Sequence, residues 1–184
     1  MTNIHAAVLI SSALLLAACG ERASDSPTDT AAAAPAAQIT DANIVALLSN
    51  THQAEISLAT TARASAASDA VKEYAARMIE EHGAMKRELD SLAASKGITP
   101  ELPTGMEPVQ ATIAGRADTL LNTTGRSTDI AYIDGEAKAH GATLEALIGY
   151  AAAASDGDLR DFLGKMIPQV RLHQDRAIDI LRGL

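Results

Sequence analysis

The sequence predicts an all-α fold: four long helices in a bundle, with a short extra helix in the connection between the second and third. Three observations predict it. Apolar residues recur at three- and four-residue steps in four separate stretches. Capping residues and glycine bracket those stretches, and none shows the strict alternation of a half-buried strand.

The first helix is expected from about Asp41 to Arg63, with Thr40 or Asp41 at its N-cap. Its seam is Ile44, Leu48, Thr51, Glu55, Leu58 and Ala62. Ser68 and Asp69 open the second, which reaches about Ser95 before Lys96-Gly97. Its seam is Val71, Ala75, Met78, His82, Met85, Leu89 and Leu92. Ser, Thr and Asp suit helix starts because their oxygens accept from free first-turn N–H groups, and Gly suits the end. The stretch 97–127 holds Pro100, Pro103, Gly105 and Pro108. Within it Val109, Ile113, Ala117, Leu120 and Leu121 fall on one face, which predicts the short helix. Thr128 and Asp129 open the third long helix, which runs to about Ala154 on a seam of Ile130, Ile133, Ala137, His140, Leu144, Leu147 and Ala151. A polar turn, Ser155 to Asp158, leads into the fourth, which runs to about Arg182. Its seam is Leu159, Phe162, Met166, Val170, His173, Ala177 and Ile180. Pro168 removes a backbone donor there and clashes with the carbonyl of Gly164, so a kink is expected. The short turns at 64–68 and 155–158 make two antiparallel hairpins. A 26-residue helix spans about 39 Å. The 97–127 connection can cross that distance, which permits a ferritin-like crossover as well as a simple up-down order.

Three of the four seams carry a histidine near mid-helix, His82, His140 and His173, and the first carries Glu55. Helices of similar length bring mid-seam positions to about one level in either topology. A buried imidazole or carboxylate costs several kcal/mol unless paired or coordinated. A mononuclear metal centre of three histidines and one glutamate (Glu55, His82, His140 and His173) is one explanation, and it suits Zn, Cu, Ni or a single Fe. The other is a set of core histidines hydrogen-bonded to Glu55, Tyr132 or backbone, which specify register and bind nothing. Tyr132, Glu136 and His52 are the candidate supporting residues. His52 lies three residues before Glu55, and Leu48 and Thr51 around it suggest a boundary position. Met78, Met85 and Met166 lie on the seams as well; methionine there serves first as a core filler. A di-iron centre would need Glu-x-x-His on two helices. Ile79, Ala137 and Val170 stand three residues before the histidines, so a ferroxidase is not expected.

The N-terminus reads as an export signal. Residues 6–18 form an apolar run too short for a transmembrane helix, which needs roughly 20 apolar residues. The run ends in Leu16-Ala17-Ala18-Cys19-Gly20, similar to a bacterial lipobox, and Cys19 is the sole cysteine. The n-region has His5 but no Lys or Arg; an ordinary cleaved signal peptide is the alternative. The expected organisation is a lipoprotein signal peptide over 1–18, a lipidated N-terminus and disordered Ala/Ser/Thr/Asp/Pro tether over 19–38, and one bundle domain over 39–184. The low-complexity tether cannot bury enough surface to order itself. Acyl chains anchor stably, at about 0.8 kcal/mol per buried methylene. Gly20 is not the aspartate that retains many such lipoproteins at the inner membrane. In a Gram-negative cell this places the chain in the envelope, on the outer membrane facing the periplasm, with an envelope protein as the expected partner.

The net charge is −8, Trp is absent, and there are one Phe and three Tyr. Without a basic patch interleaved with aromatics, nucleic acid is not an expected partner. There is no nucleophile constellation and no Gly-rich phosphate loop, so a binding or structural role is expected ahead of catalysis.

Four segments together carry a resemblance. They are Ala54-Glu55-Ile56-Ser57-Leu58-Ala59; Val71-Lys72-Glu73-Tyr74-Ala75 with Met78-Ile79-Glu80-Glu81-His82; Ala131-Tyr132-Ile133 with His140; and Ile167-Pro168 with His173. In this order the chain resembles, over about residues 40–183, a bacterial family of exported ferritin-like four-helix domains of unknown function, commonly labelled predicted outer membrane proteins. Glu81 stands where that family often has Asp. Thr128-Asp129-Ile130-Ala131-Tyr132 stands where it usually has a Phe-Asp pair before the tyrosine. The resemblance implies fold and export; the family has no agreed activity.

Overall fold

A computed structural model of the chain describes residues 39–184. The signal peptide, Cys19 and the tether lie outside the described residues. There are five helices: α1 (Asp41–Ser65), α2 (Asp69–Lys96), α3 (Glu107–Leu121), α4 (Arg126–Ala153) and α5 (Gly157–Gly183). No strand occurs among the described residues, only a single bridge between Ala66 and Gly125. No described helix is long and apolar enough to cross a membrane.

The caps explain the boundaries. The Thr40 hydroxyl accepts from the Asn43 amide while Asn43 Oδ1 accepts from Thr40 N–H, a reciprocal box that satisfies two free donors. Gly97 ends α2 at φ +65°, a left-handed conformation that costs other residues more. Asp156 caps α5 by accepting from the Asp158 and Leu159 amides. α5 runs on through Pro168 as one helix.

Two aspartates read from sequence as opening their own helices serve the opposite hairpin instead. Asp41 of α1 accepts from the Ser155 and Asp156 amides in the α4–α5 turn. Asp129 of α4 accepts from the Ala67 and Ser68 amides in the α1–α2 turn. The hairpins are thereby clasped at both ends. Asp129 is 2 % exposed, and a hydrogen bond to a charged group contributes about 1.5–3 kcal/mol. Asp129→Ala should therefore lower stability by about 2–4 kcal/mol in urea denaturation. A loss below about 1 kcal/mol would show the clasp to be incidental.

The core consists of two apolar clusters. One takes Ile44 and Leu48 from α1, Leu89 from α2, Leu147 from α4 and Leu159 from α5. The other takes Leu58 and Ala62 from α1, Val71 and Ala75 from α2, Ile133 from α4 and Ala177 from α5. The order of these residues fixes the directions: α1 and α5 run one way, α2 and α4 the other. α2 therefore ends where α1 begins, and α4 begins at the far end. The connection that contains α3 crosses the length of the bundle. It is tied at one end by Asn43 Nδ2 to the Glu101 carbonyl and by the Glu101 amide to Ala42. At the other end the Gly125 amide donates to Ser65, with Gly125 at φ +62°. The sequence left this order open, because a long connection can either cross or return.

The seam of α4 is rotated from the one expected. Ile130 is 43 % exposed, and Ala137 is only half-buried. Thr128, Asp129, Tyr132 and Glu136 turn inward beside Ile133, His140, Leu144 and Leu147. Apolarity favoured Ile130 and Ala137, but the buried polar residues have partners on other elements, which lowers the cost of burying them.

Candidate metal centre

Between the two apolar clusters lies a polar layer. α1 supplies His52 and Glu55, α2 His82, α4 Glu136 and His140, and α5 His173, all buried. One ring nitrogen from each of His82, His140 and His173 lies within 4.8 Å of the other two. The ring centroids are 5.6 Å apart for His82 and His140, 5.3 Å for His82 and His173, and 5.2 Å for His140 and His173.

The other ring nitrogens are held from behind. His140 Nδ1 donates to the Glu136 carbonyl one turn earlier, at 2.9 Å. His173 Nε2 donates to the Glu81 carboxylate at 2.5 Å, and the backbone carbonyl of His173 accepts from the Tyr74 hydroxyl. His82 Nδ1 and His52 Nδ1 are 3.0 Å apart. Each backing bond sets a tautomer. Carbonyl and carboxylate oxygens only accept, so His140 and His173 keep their protons on the bonded nitrogens. When His82 donates Nδ1–H to His52, its Nε2 also carries a lone pair. His82 Nε2, His140 Nε2 and His173 Nδ1 have no hydrogen-bond partner in the protein.

Burial keeps His52, His82 and His140 neutral. It lowers His82 well below its ordinary value, a fall reinforced by His52, His140 and His173; it also lowers His140. His52, 1 % exposed, is pushed down to about 4, again mainly by burial. Neutral imidazole is the form that binds metal. Backing of a ligand's second nitrogen by a carboxylate, carbonyl or other acceptor is the usual outer shell of a histidine metal site.

Glu55, expected as a fourth ligand, is turned elsewhere. Its Oε1 accepts from Arg116 Nη1 of α3 at 3.0 Å, and Arg116 Nη2 donates to Glu136 Oε1. Burial pushes the Glu55 carboxyl up, but the Arg116 guanidinium and a hydrogen bond with Glu136 together outweigh this and hold it below the usual value. Glu136 is fully buried, and burial together with the Glu55 charge raises it well above that value. One guanidinium thus holds two buried carboxylates. His52 is no boundary residue: it packs edge-on against His82, with centroids 5.2 Å apart. Tyr132 lies edge-on to Tyr74, away from hydrogen-bond reach of the imidazoles, and its hydroxyl has no protein partner. Met78 and the pair Met85 and Met166 belong to the two apolar clusters as core fillers.

Sequence reasoning missed Glu81 and Arg116. Glu81 is half-exposed and adjoins His82 on α2, so nothing in its spacing separates it from a solvated charge. Arg116 had a readable sign: it is a lone cation beside the apolar face of Ile113, Ala117 and Leu120 on α3. Gly135 makes room for it, since a Cβ there would meet Arg116 Nε at 3.2 Å.

A family described as domain of unknown function (DUF4142) matches residues 26–180, most of the chain. No curated protein and no solved structure matches.

Proposed function

We propose that this chain, which belongs to the DUF4142 family, is a ferritin-like helical bundle that holds one transition-metal ion at His82, His140 and His173. The observation that supports the reading is the set of three buried imidazoles, each with one nitrogen held by the protein and the other free, with ligand nitrogens within 4.8 Å. Three buried imidazole nitrogens without a hydrogen-bond partner are unfavourable unless something binds them. Three imidazole nitrogens and no carboxylate suit zinc or copper; in a tetrahedral site three protein ligands leave one position open. The crossover order and the polar mid-bundle layer support the ferritin-like assignment. The test is elemental analysis of protein purified without an affinity tag, followed by titration with Zn2+ and Cu2+. About one equivalent of one metal is expected, and the absence of stoichiometric binding would refute the centre.

We further propose that the bundle acts in the cell envelope, tethered through lipidated Cys19, and that its helical surface engages an envelope protein. The lipobox-like Leu16 to Gly20 and the low-complexity 20–38 stretch support this reading. Cys19→Ser, expressed in the native host, should release the chain from the membrane fraction. Continued acylation and membrane binding in that variant would overturn the tether.

A further inference from the structure

The histidine cluster is sealed. His52, His82, His140 and His173 are 1–3 % exposed, so an ion reaches them only when part of the bundle opens. The hairpins α1–α2 and α4–α5 are clasped by Asp41 and Asp129. Between α2 and α5 the neighbouring turns bury Met78, Met85 and Val170. Two hydrogen bonds at His173 itself, to its carbonyl from the Tyr74 hydroxyl and from its Nε2 to Glu81, close that face.

The α1–α4 face is covered differently. Its cover is α3, of which Leu120 is the one buried residue. A cavity of about 700 Å3 separates α3 from α1 and α4. Small residues leave that space: Ala131, Gly135 and Ala139 follow one another at four-residue steps on α4, and Ala54 lines it from α1. An element with so little buried apolar surface opens at lower free energy than the four long helices.

The cavity ends one layer short of the histidines. Arg116 lines it, with its side chain 20 % exposed. Behind the guanidinium Glu136 is fully buried, and Glu136 Oε2 lies 3.6 Å from His140 Nδ1. Thr51 and Ala139, the residues before His52 and His140, also line the cavity, whereas no histidine does. Cavity, guanidinium, carboxyl and imidazole thus follow one another inward. Arg116 bars the way through its bonds to Glu55 and Glu136.

We propose that α3 is the gate of the metal centre and Arg116 its latch: zinc or copper enters through the cavity beneath α3 when the guanidinium leaves Glu55 and Glu136. The incoming ion takes the place of the guanidinium between the two carboxyl groups, which favour a cation there, and passes on to the histidines. The gate rests on the centre proposed above; it sets the rate of metal exchange and not the affinity.

Stopped-flow uptake of Zn2+ by the full chain, beside an equilibrium titration, tests this. Uptake by the native chain should level off as zinc is raised, because opening limits it. Ala139→Leu and Ala54→Leu fill the cavity from opposite walls. Each should slow uptake and release alike by about tenfold or more, with the dissociation constant within about threefold of native. Arg116→Met combined with Glu55→Gln and Glu136→Gln removes the latch without leaving an unpaired buried charge. It should speed uptake by about tenfold or more at one zinc per chain. Asp129→Ala loosens a hairpin clasp and not α3, so it should take up zinc at the native rate, which separates gating from general instability. Native rates in both cavity-filling variants, a native rate in the latch-free variant, or uptake by Asp129→Ala as fast as by the latch-free variant would each overturn the gate while the metal centre stands. A native chain that binds no zinc or copper would remove centre and gate together.

Discussion

Saturating zinc should raise the unfolding temperature of the native domain by about 10 °C or more, and His82→Ala or His140→Ala should remove that response. A ligand that binds only the folded state at about 1,000 times its dissociation constant adds about 4 kcal/mol. Each kcal/mol shifts Tm by about 2–4 °C for a chain of this size. The metal-free His140→Ala variant should differ little from the metal-free native protein. Truncation removes one buried nitrogen that has no partner, a relief of about 1–3 kcal/mol, which offsets the packing lost with the ring. Glu81→Gln and His52→Ala leave all three ligands in place but loosen their backing. They should weaken metal binding about 10–100-fold at unchanged stoichiometry. A metal response retained in both ligand variants would contradict the assignment. Without metal, acidity exposes the same burial. His52 has its folded value lowered to about 4, against about 6.5 in the unfolded chain. The unfolded state therefore takes up the proton first as pH falls. Stability is full above about pH 6.5, declines between about 6.5 and 4, and is then level for this group, a loss of about 3 kcal/mol.

Arg116→Met should destabilise the domain by about 3–5 kcal/mol, because it leaves Glu55 and Glu136 buried with no cation. The native ion pairs join α3 to α1 and α4 through one side chain, so the loss should concentrate on α3. Amide exchange there should accelerate far more than in α2 or α5. Adding Glu55→Gln and Glu136→Gln to Arg116→Met should recover most of the loss, since neutral amides cost less to bury than an unpaired carboxylate. A urea series on the three backgrounds measures this directly. Additive losses, with the triple variant less stable than Arg116→Met, would show that the guanidinium contributes by packing and not by charge.

The long helices and their ends were legible because each rests on local chemistry. Seams such as Val71, Met78, Met85 and Leu89 have a helical period, and Gly97 and Asp156 carry their end signals within a few residues. That the chain belongs to a family of unknown function was legible for the same reason, as the likeness rests on short ordered segments. Asp41 and Asp129 were misread because a carboxylate near a helix start looks the same whether it caps its own helix or a turn more than sixty residues away.

By itself, the sequence determined four amphipathic helices with His82, His140 and His173 at mid-seam, since period and length suffice to bring those positions to one level. Only the tertiary structure decided the helix rotations, and with them which neighbour turned inward. On α1 both His52 and Glu55 are buried, but His52 meets His82 while Glu55 faces α3. On α4 Glu136 displaced Ala137 from the core, against its polarity. The physical reason is a charge that arrives from elsewhere: Arg116 rides on the crossover helix, 61 residues from Glu55 and 20 from Glu136, and its guanidinium makes two buried carboxylates tolerable. Periodicity within one helix carries no trace of a partner supplied by another.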